Sequence, residues 1–288
     1  MNKLTLSVII PTYHRNDLLA KCLDCLAPGV QVLPAEEYEV IVTDDGSKTT
    51  AKEMIRDRYP WVKWVAGPRK GPGANRNNGA RYAQSDWLAF TDDDCLPEPN
   101  WLSAFAEATT GSAQALEGAI HPLGDPNQDL AECPVNLTGG WFWSANVAVK
   151  RSLFEKIGGF DPNYPLAAHE DVDMKLRLSP HTTIAFVPDS RVFHPVRLLS
   201  LKQLIVRIPK QCSAWAYHVN KHRKEIGYEK KLSLTISEYK FHLLGLLHNF
   251  RHRRFKSACN SLAWLVFGIP LVLFCLHRVE MIEQHQGV

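Results

Sequence analysis

The sequence predicts an α/β protein: a doubly wound, mostly parallel sheet flanked by helices, followed by a helical, basic extension. Three observations carry that prediction. Four short apolar runs alternate with helix-patterned stretches across the first hundred residues, and parallel neighbours need such crossovers. Each run ends in polar or acidic residues, which is where open α/β sheets bind ligands. Beyond residue 195 the character changes: 191–288 holds 16 Lys/Arg against 5 Asp/Glu, a charge of +11, whereas 1–190 holds 17 against 25, a charge of −8.

In chain order, Leu4 to Ile10 is aliphatic and β-branched and stops at Pro11, as a buried strand does. Asp17 to Leu26 places Leu18, Leu19, Cys22, Leu23 and Leu26 at helical spacing. Tyr38 to Thr43 is a second strand, ending in Asp44-Asp45-Gly46-Ser47. A helix over Ala51 to Tyr59 and a strand over Trp61 to Ala66 follow, then a Pro/Gly-rich loop from Gly67 to Gly73 and a helix from Ala74 to Ala83. Trp87 to Phe90 is a fourth buried strand, tipped by three carboxylates, Asp92, Asp93 and Asp94, and a helix starts near Pro99. After Ala115 to Ile120 the alternation fails. His121 to Gly140 reads as an extended loop, Trp141 to Val149 as a strand, and Ser152 to Ile157 as a short helix. Ala168 to Leu178 reads as a helix with acids at its start, and Ile184 to Pro188 with Arg191 to His194 as a final strand and turn.

A chain of 288 residues can bury one sizeable core with a smaller second unit. Hydrophobic content of 45% and charged content of 22% exclude a disordered chain. Of seven cysteines only Cys22 and Cys25 form a CxxC pair, with no second pair to complete a zinc site. Reduced thiols in the cytosol fit best, and the apolar run of the N-terminus is too short for a leader.

The acid triplet is the most informative local feature. Adjacent carboxylates repel one another and resist burial, so a strand end carrying three of them fits a site for a hard cation and a polar ligand, though a solvated turn fits as well. Asp44 and Asp45 could accept from a base or a ribose, or simply make an Asx turn. Gly71-Pro-Gly-Ala-Asn-Arg76 fails as a dinucleotide fingerprint because Arg76 stands at the third glycine, but suits a ribose or phosphate contact. His169-Glu-Asp-Val-Asp173 fails as a zinc-protease motif because its fifth residue is Asp.

Taken in order, Ser7-Val-Ile-Ile-Pro-Thr-Tyr-His-Arg15, Val42-Thr-Asp-Asp-Gly-Ser47, Gly73-Ala-Asn-Arg-Asn-Asn-Gly79, Phe90-Thr-Asp-Asp-Asp94 and His169-Glu-Asp-Val-Asp173 resemble the motif series of the family 2 glycosyltransferases. The resemblance covers roughly residues 4–195. It implies a GT-A catalytic domain over 1–195, with a nucleotide-sugar half to about 95 and an acceptor half from 96, and an inverting enzyme using a nucleoside-diphosphate sugar. It implies that Pro11, Thr12, Tyr13 and Arg15 line the nucleotide pocket, that Asp44 and Asp45 hold the base, and that Arg76, Asp92 and Asp93 meet the donor. Asp94, with Asp92 and His194, would hold Mn²⁺ or Mg²⁺. Asp171 would be the general base, with Glu170 beside it. Trp141, Trp143, Asn146 and His169 would face the acceptor, a glycan or lipid-linked glycan; no nucleic-acid partner is expected. A catalytically silent sugar-nucleotide-binding or scaffold protein is the alternative. A nucleotidyltransferase fits less well, since Pro11 to Asn16 contains no glycine.

In the extension, 196–288, the basic run Arg251-His-Arg-Arg-Phe-Lys256 precedes Leu262 to Leu276, apolar except for Gly268 and Pro270. Fifteen such residues fall short of the roughly 20 that span a bilayer as a straight helix. A buried hairpin, a re-entrant segment and an interfacial anchor stay open. Basic charge beside an apolar segment points to the cytoplasmic face of a membrane.

Overall fold

A computed structural model of the chain describes residues 4–164, 168–226 and 231–276. Its contacts divide the chain into two compact units: 1–124, 133–163 and 170–195 form the first, and 125–132, 164–169 and 196–288 the second.

The first unit is built on one eight-stranded sheet. Its leading half follows the predicted alternation: β1 (Leu6–Thr12), α1 (Asn16–Cys25), β2 (Tyr38–Asp44), α2 (Lys52–Arg58), β3 (Val62–Ala66), α3 (Pro72–Ala80) and β4 (Trp87–Thr91). The strands pair in parallel in the order β3-β2-β1-β4, with Ile9 opposite both Ile41 and Phe90. All residues of β1 and β4 are buried, because helices cover both sheet faces. Gly79 on α3 permits that cover: a Cβ there would lie 2.6 Å from Ile9 Cγ2.

The trailing half adds β5 (Leu96–Pro97), α4 (Trp101–Ala108) and β6 (Ala115–Leu123), and completes the order β4-β8-β6-β9-β5. Here β8 (Asn146–Lys150) runs antiparallel to both β4 and β6, and β9 (Ile184–Pro195) parallel to β6. Two expectations change. The strand predicted over Trp141 to Val149 begins only at Asn146, because the preceding residues turn through positive φ at Gly139, Gly140 and Phe142. The two pieces predicted at the end are one strand, β9, continuous across a register shift beside Gly118 and Ala119. Two helices, α5 (Arg151–Lys156) and α6 (Glu170–Leu178), carry the chain between β8 and β9. Two apolar cores lie on either face of the sheet, one centred on Leu19, Trp101 and Phe105, the other on Phe90, Phe154 and Phe160.

The second unit pairs β7 (Ala131–Glu132) with β10 (Arg197–Leu198), and its described residues from 201 on are mostly helical. α7 (Leu201–Lys221) opens with a capping box in which Ser200 and Gln203 bond each other's backbone N–H. The short α8 (Arg223–Ile226) precedes α9 (Lys231–Arg251) and α10 (Phe255–Ala263). A π turn at Trp264–Gly268 then carries the last helix on to Leu276, across Pro270. The final helix therefore runs for 22 residues from Phe255, long and apolar enough to cross a membrane, where the sequence reading counts fifteen.

Candidate active site at the carboxyl ends of the strands

The parallel strands deliver their polar termini to one rim of the first unit. Thr12 ends β1, Asp44 ends β2, and Asp92, Asp93 and Asp94 follow β4. β1 and β4 are paired neighbours, and Thr12 donates its hydroxyl to Asp93 Oδ2 at 2.7 Å.

The three consecutive acids meet three different fates. Asp92 accepts from Arg76 Nη2 at 2.7 Å. Burial raises its carboxyl, but Arg76, then His194 and Arg15, outweigh that and hold it below the usual range. Asp93 is buried, and its partners Thr12 and Arg15 Nε (3.2 Å) engage it internally. Burial, against the pull of Arg15 and Thr12, pushes its pKa up to about 7. Asp93, expected to meet the donor, has its carboxylate engaged by Thr12 and Arg15. Asp94 points to Arg15 Nη1 at 3.1 Å and to His194 Nε2 at 3.6 Å.

Asp94, Cys95 and His194 present potential ligand atoms within 4.8 Å of one another. The donors fit a hard or borderline divalent cation. His194 Nδ1 lies 3.0 Å from the carbonyl of Pro195, which accepts from the ring when the proton is on Nδ1. Nε2 then turns a lone pair toward the Asp94 carboxylate: two acceptors facing each other, with the outer nitrogen oriented as in metal-binding histidines. Cys95 is a bystander. Burial first, then Asp92 and Asp94, push its thiol well above its ordinary value, and it donates to Ala145 O at 3.8 Å.

Arg76 is the electrostatic centre of the other side. It is buried, lies over the Phe160 ring at 5.4 Å, and joins Asp92 to Glu170 Oε1 (3.3 Å). Arg76, expected to meet the donor, bridges the end of β4 and the start of α6. Burial and the Asp171 charge push Glu170 up to about 7 against the pull of Arg76. Burial likewise raises Asp171, against the N–H groups of Val172 and Ser144 and against Arg76. A carboxylate held high in pKa is a better proton acceptor than one in water.

Asp44 is occupied by its own turn. It accepts from Gly46 N (2.8 Å), Ala51 N (2.6 Å) and Trp64 Nε1 (3.2 Å), the Asx arrangement rather than an open base contact. Asp45 is buried and accepts from Arg69 N at 2.8 Å; burial raises it, and Arg69 and Gly71 N–H groups pull it down. Pro11 is buried on β1, while Tyr13 is 58% exposed beside it and stacks obliquely on His14 at 4.2 Å.

Among the acceptor candidates, Trp141 is 53% exposed and its ring lies 5.4 Å from that of half-buried Trp143. Asn146 is buried, accepting from Trp101 Nε1 (2.7 Å) and donating to Ala119 O and Ser190 O (both 2.8 Å). It ties α4, β6 and β9 together, with both amide hydrogens used inside the fold. His169 belongs to the second unit, stacked on His218.

The residue that the sequence reading overlooks is Glu117. It is buried in β6 and accepts from Gly140 N (2.5 Å), Trp141 N (3.1 Å), Phe142 N (2.8 Å) and Asn136 Nδ2 (3.2 Å). One carboxylate thus shapes the loop that presents Trp141. A lone acid inside the apolar run Ala115-Leu-Glu-Gly-Ala-Ile120 was the available signal, since a buried charge requires partners.

Residues 7–116 match the Glycosyl transferase family 2 model. Over 222 residues the chain is 30% identical to validoxylamine A glucosyltransferase of Streptomyces hygroscopicus subsp. limoneus, covering 61% of this chain and 48% of that protein. The chain therefore spans about half the length of that relative. Its fold is similar to that of S. aureus TarS 1-349 in complex with UDP-GlcNAc, with a TM-score of 0.56, 18% identity and 89% of each chain covered. It is also similar to the mannosyltransferase PcManGT from Pyrobaculum calidifontis in complex with GDP-Man and Mn²⁺, with a TM-score of 0.54, 16% identity, and 100% of this chain and 77% of that one covered. Motifs, sheet order and the family match agree: residues 7–116 carry the family 2 glycosyltransferase region, and the chain has a GT-A-like fold.

Proposed function

We propose that the chain transfers a sugar, with inversion, from a nucleoside-diphosphate sugar to a hydroxyl of a glycan or lipid-linked glycan in cell-surface or extracellular polysaccharide or glycolipid assembly. The observation that carries this reading is the pairing, on one rim, of the Asp94–His194 donor set with the raised carboxyls of Glu170 and Asp171. Asp94 and His194, with Asp92, would hold Mn²⁺ or Mg²⁺, whose charge offsets that building on the leaving diphosphate. Arg15 is 38% exposed, so it can withdraw from Asp94 when a ligand arrives. Asp171 takes the proton of the acceptor hydroxyl, worth typically about 10²–10⁴-fold in rate. Glu170 holds Arg76, and Arg76 in turn holds Asp92, so the two ends of the reaction share one ion-pair bridge. Exposed Trp141 offers a flat face to an acceptor ring.

The second unit adds a membrane-facing role. The last helix exposes Phe267 (68%) and Phe274 (61%); Arg251, Arg253 and Arg254 lead into it, and Lys256 lies in its first turn. Apolar area and basic charge together are the two signals a stable attachment to an anionic leaflet requires. The protein would then work at the cytoplasmic face. A panel of NDP-sugars, assayed for Mn²⁺-dependent thermal stabilisation and for release of nucleoside diphosphate on adding acceptor, tests the reading. Stabilisation without turnover on any acceptor would favour a silent binding protein.

A further inference from the structure

Within the second unit, α9 has its polarity reversed for a helix in water. The stripe Glu238, His242, Gly245 and Asn249, at helical spacing, is polar or small. Its neighbours cover that stripe. Glu238 accepts from the Trp215 side chain of α7, and the His242 ring stacks on Trp264 at 5.0 Å with 6° between the planes. A Cβ at Gly245 would lie 3.6 Å from Ser261 Oγ, and Asn249 Nδ2 donates to the same oxygen at 3.4 Å. The opposite stripe, Ile236, Leu243, Leu247 and Phe250, is apolar and exposed, Leu247 to 58%.

In water a surface helix turns its apolar side inward, and the reverse is costly because each exposed Leu or Phe keeps its surface hydrated. Helix pairs in lipid show the arrangement seen here: small and polar residues at the contact, apolar residues outside, where the tails meet them without penalty. The last helix repeats the pattern, with Ser261 and Gly268 buried and Leu262, Val266 and Phe267 exposed. Charge agrees with a lipid surface. Lys240 is exposed beside the apolar stripe, and Arg251, His252 and Arg253 are exposed where α9 gives way to the last helix. The lengths fit lying along a leaflet and not crossing it. Phe241 to Phe250 holds no Asp, Glu, Lys or Arg, but such a stretch rises only about 15 Å, half the hydrocarbon thickness. The far end of the last helix is taken up by α7, where Val272 and Leu276 pack with Ala216 and Val219.

We propose that α9 and the last helix form one hairpin lying along an anionic leaflet, with Ile236, Leu243, Leu247 and Phe250 sunk into the boundary between headgroups and acyl chains. Lys240, Arg251 and Arg253 extend to the phosphates, as long cationic side chains do at such surfaces. The proposal rests on the membrane-facing reading, which names the last helix alone, and adds α9 as a second contact. A second copy of the chain is the competing occupant of the stripe. The basic residues beside it favour lipid, because two copies would bring like charges together.

The test uses the full chain with vesicles of phosphatidylcholine and phosphatidylglycerol, followed by cosedimentation and by amide hydrogen exchange. In wild type, exchange over 236–250 should slow on adding vesicles, together with exchange over the last helix. Leu243→Gln with Leu247→Gln changes two exposed side chains and keeps helix propensity, so the fold should persist. Vesicle affinity should then fall about tenfold or more, the effect of withdrawing leucine side chains from an apolar phase. Protection confined to the last helix, with unchanged vesicle affinity in the double variant, overturns the proposal and leaves the membrane-facing reading standing. Failure of wild type to bind vesicles overturns both. Sedimentation velocity addresses the other occupant: a dimer that the double variant dissociates, with vesicle affinity unchanged, assigns the stripe to a second copy and overturns the lipid contact.

Discussion

Arg76 stands between Asp92 and Glu170 with almost no access to water. Removing a buried partner leaves charges uncompensated, at a cost of about 3–5 kcal/mol. Arg76→Ala should therefore lower thermal stability by that order as well as impair function, and calorimetric unfolding will read it. Asp171→Asn keeps shape and removes the proton acceptor, so nucleotide-sugar binding should persist while transfer falls about 10²–10⁴-fold. Near-normal transfer would move the base elsewhere, Glu170 first. The pH dependence has a definite sign. Because the base must be ionised and burial raises Asp171, the acid limb of the transfer rate should sit above the ordinary carboxylate range. Glu170 shows the same bias in stability. Its folded pKa of about 7 exceeds the ordinary 4.5, so its contribution is fully present below the lower value and is lost as pH rises toward the higher. Glu170→Gln should flatten the decline of melting temperature across that window; an unchanged slope would mean that another group sets it.

Elements act on the site through a few side chains. Glu117 on β6 holds three consecutive amides of the loop before β8, from Gly140 to Phe142. Leaving buried N–H groups unpaired costs about 1–3 kcal/mol each. Glu117→Ala should speed amide exchange at 140–142 and raise the KM for acceptor more than that for donor, since the loop presents Trp141. Equal effects on both would show that the loop serves the fold alone. Asn146 supplies the contrast. Its amide joins three elements, so Asn146→Ala should lower the melting temperature with little selective change in acceptor KM. On the other side of the site, α6 is fixed by Asp173, whose Oδ2 accepts from Arg177 Nε at 2.9 Å, while Arg177 Nη1 reaches Ile157 O at 2.8 Å.

At the scale of the whole molecule the charge is divided: an acidic half that carries the candidate chemistry and a basic half that ends in an exposed apolar helix. Full-length protein should pellet with anionic vesicles and be only partly released by high salt, because salt screens the basic side chains and leaves apolar burial intact. Phe267→Asp with Phe274→Asp should make the attachment salt-extractable. If wild type stays in the supernatant at low salt, the membrane role falls and the family assignment is untouched.

The sequence alone determined the parallel half-sheet, the strand-end location of the polar clusters and the family, because period, turn chemistry and ordered motifs are local properties of the chain. Leu4 to Ile10 and Trp87 to Phe90 read as buried strands since burial on both faces leaves an unbroken apolar run, and the strands formed are Leu6–Thr12 and Trp87–Thr91. Tertiary structure decided what each acid does. Asp92, Asp93 and Asp94 are equivalent in composition, yet one pairs with Arg76, one is enclosed by Thr12 and Arg15, and one faces His194. The same holds for Asn146 and Glu117, whose partners lie up to 45 residues away. The single strand β9 and the 22-residue last helix also needed the fold, because a bulge and a π turn absorb the residues that break the pattern in the sequence. A side chain's type is written in the chain, but its electrostatic role depends on which distant charges and N–H groups folding brings within hydrogen-bond reach, and no local period encodes that.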